Sequence, residues 1–167
     1  MYPQVVPFVG AHLACLGAIW SGVTWQAVVL GIALYWLRMF GITGGYHRYF
    51  SHRTYKCGRA FQFFLAFIAQ SSAQKSVLWW GAKHRHHHLY SDTEEDILSP
   101  RHKGFMYSHV GWIFAKKNDS TDLAKIEDFA RYPELEWLHR YELAPTIILG
   151  VLSFLMAGWS GLFVGFF

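Results

Sequence analysis

The amino-acid sequence predicts an all-α integral membrane protein with about three transmembrane helices, one helix in the membrane interface and a cytoplasmic helical cap. The first observation is that every Lys, Arg, Asp and Glu lies between Arg38 and Glu142. Residues 1–37 and 143–167 therefore carry no charged side chain, which excludes a water-soluble domain because soluble surfaces are rich in charge. The second observation is length, since a spanning helix needs about 20 mostly apolar residues. The first apolar block, extended to Gly45, has room for two such helices, and the last block has room for one.

Three apolar stretches predict spans at about residues 3–20, 23–45 and 145–167, within a single domain that covers the whole chain. The short turn between the first two spans carries no Lys or Arg, whereas residues 46–144 are rich in both. By the positive-inside rule, residues 46–144 form a cytoplasmic and interfacial part. Ordinary topology-setting charge is the simplest interpretation of its basic face. Binding of anionic lipid headgroups or of a phosphate-bearing substrate is the alternative, and no nucleic-acid partner is expected.

Residues 59–80 are long enough to suggest a further span. They begin with apolar side chains but continue through Gln70 to Lys75, which makes the second half too polar for hydrocarbon. A helix lying in the membrane interface is the better prediction.

Two short amphipathic helices are predicted between residues 121 and 143. Ser120 or Thr121 can cap the first helix, and Pro133 suits the first turn of the second. The acidic run at residues 91–96 is most simply a solvated loop between helices.

Histidines form two clusters. The chain has 10 histidines, of which His47 and His52 lie in the string HRYFSH and four more lie in HRHHH at residues 84–88. Neutral imidazole is the commonest nitrogen ligand for transition metals. Two such clusters beside predicted membrane segments indicate a metal site.

Helical geometry sorts the histidines of the two clusters. On an α-helix His84, His87 and His88 share one face, whereas His86 lies on the opposite side. The two histidines of the first cluster are five residues apart, which separates them by about 140° on a regular helix. They can converge on one metal only if the helix ends or loosens near residues 49–50.

A shared metal site also restricts the topology and the metal. Both clusters must lie on one side of the bilayer, so residues 59–80 cannot cross it once. Five candidate imidazoles exceed what one tetrahedral zinc needs, which favours two metals or further ligands elsewhere. Neither cluster contains a carboxylate, so the signature of soluble di-iron bundles is absent.

The other histidines and the nearby carboxylates have simpler interpretations. His12 is expected to be a hydrogen-bonded packing residue in the first span, and His102 and His139 are expected on the surface. His109 is a candidate for contact with the ligands, as are carboxylates that follow the second cluster and could orient its imidazoles. These carboxylates, for which exposed loop charges remain the alternative, are Asp92, Glu94, Glu95 and Asp96.

The motifs resemble the integral-membrane fatty acyl desaturases of the stearoyl-CoA desaturase type, particularly the bacterial branch. The matching strings are GITGGYHRYFSHRTYK at 41–56, WWGAKHRHHHLYSDTEED at 79–96, GFMYSHVGWIF at 104–114 and DLAKIEDFARYPELEWLHRYE at 122–142. By this resemblance, the HxxxxH box falls on His47 and His52, and the first HxxHH box falls on His84, His87 and His88.

The resemblance implies a centre of two non-haem iron ions on the cytoplasmic side of a bacterial inner membrane. Such an enzyme uses O2 and two electrons to desaturate a saturated acyl chain, typically at Δ9, with the chain carried by CoA or by a lipid. The electron donor would be of the ferredoxin, rubredoxin or cytochrome b5 type with its reductase. Trp79, Trp80 and Trp112 are candidates for lining the acyl tunnel, with an aromatic belt at the interface as the alternative.

The sequence departs from the family pattern at several places. No second HxxHH box is present, and Leu98 stands where the family usually has histidine. Ala82 and Lys83 replace an Arg and an Asp that lie near the acyl-CoA headgroup in animal members. We therefore expect an N-terminal portion of a desaturase that binds iron weakly and catalyses little. A related histidine-box hydroxylase or di-iron oxidase, and a non-catalytic membrane remnant, are the alternatives.

Overall fold

The computed structural model describes residues 5–167, and in that part of the chain all regular structure is helical, as predicted. The α-helices, in chain order, are α1 (Val5–Ala14), α2 (Gly17–Ser21), α3 (Trp25–Phe40), α4 (Arg59–Gln70), α5 (Val77–Leu89), α6 (Pro100–Lys103), α7 (Phe105–His109), α8 (Glu127–Ala130), α9 (Pro133–Arg140) and α10 (Ala144–Ser160). Two π-helical segments, Gly41–Ser51 and Gly161–Phe166, and three 3₁₀ turns, Gly111–Phe114, Lys116–Asn118 and Leu123–Ile126, complete the described elements.

By length and composition, two helical stretches in residues 5–167 are long and apolar enough to cross a membrane. They are Trp25–Ser51 and Ala144–Phe166, and the apolar stretch Val5–Ser21 is shorter. The predicted first span at 3–20 corresponds to this shorter stretch, except for residues 3 and 4, which lie outside the described residues.

The second predicted span continues past residue 45, because α3 runs without interruption into the first π segment. Thr24 begins the helix by accepting a hydrogen bond from the backbone N–H of Ala27. Gly41 lets the helix lie directly against α4: a Cβ atom there would be 2.8 Å from the backbone nitrogen of Ala69. The close approach of α4 fixes the position of the π segment.

The predicted span at 145–167 is not one straight helix. Ala157 and Gly158 have non-helical backbone angles, and Gly158 has φ +60°, which favours glycine. The chain then folds back, since a Cβ at Gly161 would meet the carbonyl oxygen of Ser153. The apolar block is therefore a helical hairpin rather than one straight helix, and its crossing of the membrane stays a prediction.

The return half of this hairpin runs along α3. Ser160 accepts hydrogen bonds from Thr24 and donates one to the Gly22 carbonyl, at the turn that precedes α3. Farther along, Arg38 donates a hydrogen bond to the carbonyl of Phe166. The order of these contacts shows that residues 160–166 and α3 run parallel.

The prediction of a single helix at 59–80 is wrong, because a turn separates α4 from α5. Ala73 and Lys75 in this turn have φ of 57° and 63°. Ser76 then caps α5 by accepting a hydrogen bond from the backbone N–H of Trp79, 3.2 Å away. The turn redirects the chain so that α5 lies across the π segment.

The cap is built around a core of apolar side chains from the first π segment, α4, α5, α8 and α9. The first predicted amphipathic helix in the cap is a 3₁₀ turn followed by α8. It is capped by Asp122 rather than by Ser120 or Thr121, since the Asp122 carboxylate accepts from the N–H of Ala124. Pro133 lies in the first turn of α9, as predicted.

Candidate metal centre

Four imidazoles from two elements converge above the apolar helices. His47 and His52 come from the first π segment and its C-terminal end, and His84 and His88 come from α5. Their potential ligand atoms all lie within 4.8 Å of one another. His47 and His84 are half-buried, whereas His52 and His88 are exposed, so the cluster is open on one side.

The π conformation brings the two histidines of the first cluster together. The backbone N–H of His52 donates to the carbonyl of His47 across 3.1 Å, which is the five-residue bond of a π-helix. Residues five apart are therefore one turn apart, and the two ring centroids are separated by 4.5 Å. The predicted loosening of the helix is confirmed, although it begins at Gly41 rather than near residues 49–50.

The second pair is placed by ordinary helical spacing. His84 and His88 are four residues apart on α5, and their Nε2 atoms are 3.1 Å apart. The His84 ring also stacks on Trp80, with the centroids 4.5 Å apart. Two ring nitrogens facing each other at this distance share one position where a metal ion can be bound.

His87 lies beside this group of four and faces a carboxylate. Its ring centroid is 5.3 Å from that of His88, and its Nδ1 atom is 2.9 Å from Asp96 Oδ1. When Nδ1–H donates to a carboxylate, Nε2 is left as the metal-binding nitrogen, which is the usual arrangement of imidazole ligands in metal sites. The structure thus places His87 next to the cluster without including it in the group of four.

Asp96 is completely buried, so the interpretation of its carboxylate as an exposed loop charge is wrong. Its oxygens accept hydrogen bonds from the backbone N–H groups of Asp92 and Leu98. Burial raises the pKa of the Asp96 carboxyl, but hydrogen bonds from His87 and the two N–H groups outweigh burial and leave the pKa below its usual value. A charged carboxylate therefore anchors His87.

The other candidate carboxylates face solvent. Asp92 accepts a hydrogen bond from Ser99 Oγ at 3.0 Å, and Glu94 and Glu95 are exposed. Asp92 reaches the imidazoles only indirectly, through its backbone contact with Asp96.

Burial and mutual repulsion favour the neutral form of three of the imidazoles. Burial, followed by repulsion from neighbouring histidines, lowers the pKa of His84 to about 3. The pKa values of His52 and His88 are lowered for the same reasons in the same order. Because a metal binds the unprotonated ring, these groups are ready to act as ligands at neutral pH.

His86 points away from the cluster, on the side that helical geometry predicts. Its Nδ1 atom accepts a hydrogen bond from Lys125 Nζ at 2.6 Å, and its Nε2 atom donates to the Glu95 carbonyl at 3.1 Å. Both ring nitrogens are therefore engaged by the cap, which leaves neither for a metal.

The remaining histidines do not join the cluster. His109 is exposed and stacks on Phe105, and the described contacts include none between it and the histidine boxes. His102 is exposed, as predicted, and His12 donates to the Phe8 carbonyl. His139 is half-buried against Ser76 Oγ, so its prediction as a surface residue is wrong, and burial lowers its pKa.

The three tryptophans lie at different distances from the imidazoles. Trp79 and Trp112 stack on each other with centroids 5.6 Å apart, and Trp79 Nε1 donates to the Asn118 carbonyl. These contacts are typical of packing inside the cap. Trp80 lies between Tyr46 and His84, so it is the tryptophan in direct contact with a cluster histidine.

Arg85 is a structural residue of the site that the sequence analysis did not single out. It donates to the Phe50 carbonyl at the end of the π segment and forms a bidentate pair with Asp128 of α8. Its place inside HRHHH, on a different face from the clustered histidines, was the available signal. Arg85 ties together the two elements that supply the imidazoles.

The donor set fits a transition metal such as iron. Four imidazole nitrogens that converge from two elements suit a divalent first-row metal, and carboxylate-binding cations such as Mg²⁺ are poorly matched. The open side at His52 and His88 leaves space for further ligands. His87, anchored by Asp96, is the nearest candidate.

Comparisons with known proteins give a consistent result. The family model described as "Fatty acid desaturase" matches residues 23–167. The sn-1 stearoyl-lipid 9-desaturase of Anabaena variabilis is 34% identical over 163 residues, which is 96% of this chain and 60% of that relative. The sn-2 palmitoyl-lipid 9-desaturase of Nostoc sp. (strain 36) is 34% identical over 171 residues, covering 98% of this chain and 59% of the relative.

A more distant organism supplies another similar protein. The probable acyl-CoA desaturase of Schizosaccharomyces pombe is 32% identical over 154 residues, covering 92% of this chain and 31% of the relative. The chain thus spans between about a third and three fifths of the length of these three relatives.

Proposed function

The chain belongs to the fatty acid desaturase family, and on that basis we propose that it acts in the O2-dependent introduction of a cis double bond into a saturated acyl chain, at the Δ9 position. The observation that carries the proposal is the convergence of four imidazoles from the two histidine boxes. A redox-active metal is needed because a saturated methylene is too inert for acid–base chemistry.

We propose two non-haem iron ions as the cofactor, held by His47, His52, His84 and His88 together with His87. Bound iron would supply the activation of O2 that oxidises the acyl chain. The balance of the reaction is one O2, two electrons and two protons consumed, two hydrogens removed from neighbouring methylenes, and two waters formed. The electrons would come from a ferredoxin, rubredoxin or cytochrome b5 type of carrier with its reductase.

The protein itself would position the histidine rings and line the path of the acyl chain. Arg85 fixes the π segment against α5, and Asp96 orients the His87 ring. We propose that the acyl chain passes Trp80, because this ring packs against His84 and offers an apolar face beside the cluster. Trp79 and Trp112 would support that wall from inside the cap.

A lipid-linked acyl chain is our preferred substrate form. Two of the relatives are named for lipid-linked acyl substrates. Ala82, which replaces an arginine of the animal members, is buried and offers no charge to a CoA group. Beside it is a cleft of about 350 Å³ that is suited to a polar, hydroxylated headgroup, because its lining carries both signs of charge. The lysines are Lys83, Lys103, Lys117 and Lys125, and the carboxylates are Glu94, Glu95 and Asp122.

We further propose that the two histidine boxes lie on the cytoplasmic side of a bacterial inner membrane. Residues 5–21, 25–51 and 144–166 would lie within the membrane, with α4 in the interface. This arrangement keeps the Gly22 turn, which is next to Ser160, on the outer side. It also agrees with the excess of Lys and Arg on the side of the boxes.

Product analysis tests the proposed activity. Cells that lack their own Δ9 desaturase and supply a redox carrier should gain a cis-Δ9 monoene when they express the complete reading frame that contains this sequence, measured by gas chromatography and mass spectrometry. His84→Ala should abolish the product, and the matched control His102→Ala should retain it. A hydroxylated acyl chain without a new alkene would contradict desaturation and support the related hydroxylase.

Iron analysis tests the cofactor separately. Five imidazoles shared by two irons leave coordination positions to other ligands, so we expect the purified 167-residue chain to retain iron weakly. Iron content after desalting, measured by mass spectrometry, should fall well below two per chain. Two tightly held irons would show that these imidazoles suffice.

A further inference from the structure

The loop that follows α5, residues 90–99, carries the carboxylate that holds His87. Asp96 Oδ1 accepts hydrogen bonds from His87 Nδ1 and from the backbone N–H of Leu98, both at 2.9 Å. The other oxygen, Oδ2, accepts from the backbone N–H of Asp92 at 3.1 Å. Both oxygens are held, so the direction of the carboxylate depends on the position of the loop backbone, and the Asp92 N–H is one of the groups that set it.

The backbone of Asp92 has an uncommon conformation that needs support. Its φ is 58°, in the left-handed region. An Asp residue adopts this region when its short side chain can form a local hydrogen bond. Here the partner is Ser99, whose Oγ donates to Asp92 Oδ1 at 3.0 Å. The conformation that directs the Asp92 N–H to Asp96 is therefore held by a side chain at the far end of the loop.

Ser99 stands at a position where serine usually has a different role. It is the N-cap of α6, directly before Pro100, and an N-cap serine normally accepts a hydrogen bond from a backbone N–H in the first turn. Within residues 5–167 the Ser99 hydroxyl makes no such bond. The side chain is buried, with Ser99 only 1% exposed, and its hydroxyl donates to Asp92 instead.

We propose that Ser99 is a positioning residue for His87. The Ser99 hydroxyl holds Asp92 in its left-handed conformation, the Asp92 N–H then directs the Asp96 carboxylate, and that carboxylate orients the His87 ring with Nε2 left for the metal. This inference rests on the proposed function, because it needs His87 as a metal ligand. Without the hydroxyl, Asp92 loses its side-chain anchor and Asp96 loses one of its three donors.

Metal titration of the purified chain tests the proposal, with Co²⁺ as the probe and its absorption as the readout. Ser99→Ala should lower Co²⁺ affinity about three- to tenfold, less than the roughly 10- to 100-fold expected for a direct partner of a ligand such as Asp96. The matched control Ser91→Ala removes an exposed hydroxyl from the same loop and should bind Co²⁺ as wild type does.

A second background separates positioning of His87 from a general effect on the fold. His87→Ala should itself lower Co²⁺ affinity, and adding Ser99→Ala should cause no further loss, because the hydroxyl acts through that ring. A further loss of the same size would overturn the proposal. Weaker binding by His87→Ala with unchanged binding by Ser99→Ala would contradict the role of Ser99 alone. Unchanged binding by His87→Ala would refute both the proposed ligand and its positioning residue.

A glycine variant keeps the test decisive if Ser99→Ala folds poorly. Glycine adopts a φ of 58° without a side-chain anchor, so Asp92→Gly combined with Ser99→Ala should bind Co²⁺ within about twofold of wild type. This double variant also leaves no buried hydroxyl without a partner at position 99. Binding as weak as that of Ser99→Ala would show that the hydroxyl does not act through the Asp92 backbone, which is contrary to the proposal.

Discussion

Individual histidines of the two boxes have different surroundings, and those differences predict different effects of substitution. His88→Ala removes one of the four converging nitrogens, so Fe²⁺ affinity should fall by about two orders of magnitude or more. His86→Ala should leave affinity within a few-fold, because both ring nitrogens of His86 are bound to the cap. Metal titration, with Co²⁺ absorption as the probe, measures both. Equal losses would show that the two rings are equivalent.

Asp96 should matter both for stability and for metal affinity. Asp96→Asn removes the charge that holds His87 and weakens the acceptor of two buried N–H groups. We expect a loss of about 1–3 kcal/mol in the free energy of unfolding and of 10- to 100-fold in metal affinity. Thermal unfolding and metal titration check these values, with the exposed Glu94→Gln as the control. An unchanged metal affinity would mean that His87 needs no carboxylate.

Residue types predict which histidines converge, but they do not predict which other side chains hold those histidines in place. Imidazole has few common roles in clusters, so His47, His52, His84 and His88 could be identified before any coordinates. The burial of Asp96 could not, because an acidic run such as SDTEED is usually solvated, and only the folded loop places one of its members under His87. The half-burial of His139 against Ser76 depends in the same way on contacts between distant segments.

The close packing of the π segment against α4 predicts that a larger side chain at Gly41 destabilises the protein. Gly41→Ala would place a Cβ 2.8 Å from the Ala69 backbone nitrogen and must push the two elements apart. We expect a loss of about 1–3 kcal/mol in stability, together with weaker metal binding. Gly44→Ala is the control, because its Cβ would meet only the movable side chain of Phe40. Equal unfolding temperatures for the two variants would contradict tight packing at Gly41.

The junction of α5 with α8 should make stability depend on pH. Burial raises the pKa of Asp128, but hydrogen bonds and charge from Arg85 and Arg53 outweigh burial and leave the pKa below 3.8. Because the folded pKa is below the unfolded value, the stabilisation is present above about pH 4 and is lost as pH falls through the folded pKa. Asp128→Asn should therefore be less stable than wild type at pH 7.

Unfolding measured from pH 7 to pH 3 checks this prediction. The gap between Asp128→Asn and wild type should stay constant down to about pH 5 and narrow below pH 4. Glu127→Gln changes an exposed neighbour and should show no such gap. A gap that is constant over the whole range would show that the Asp128 charge does not contribute.

The positions of helices could be predicted from the sequence where the hydropathy pattern alone determines them. The apolar stretches and the short helices of the cap follow from composition and from Pro133. The breaks at Ala157–Gly158 and at residues 71–76 do not, because Gly158, Ala73 and Lys75 adopt positive φ only when neighbouring segments require the turn. The π segment was predictable in part, since five-residue spacing required a wider helix but did not locate its start.

At the scale of the whole molecule, the proposed topology can be tested by labelling. In a background with both cysteines replaced by serine, Lys56→Cys lies near the histidine boxes and Val23→Cys lies at the opposite turn. A membrane-impermeant maleimide should label Lys56→Cys only in inside-out vesicles and Val23→Cys only in spheroplasts. Labelling of both from the same side would contradict the proposed crossing of residues 25–51.

The hydrogen bond from His52 N to the His47 carbonyl has one more consequence. It joins the backbones of the two candidate ligand residues. An ion bound by both imidazole rings would therefore close a ring of atoms whose backbone part is already held in place by this hydrogen bond. The backbone geometry between the two rings is set before the ion arrives, and much of the ordering cost of a two-point ligand is met during folding. The π-helical register thus prepares the HxxxxH pair to act as the two-point metal ligand that we propose.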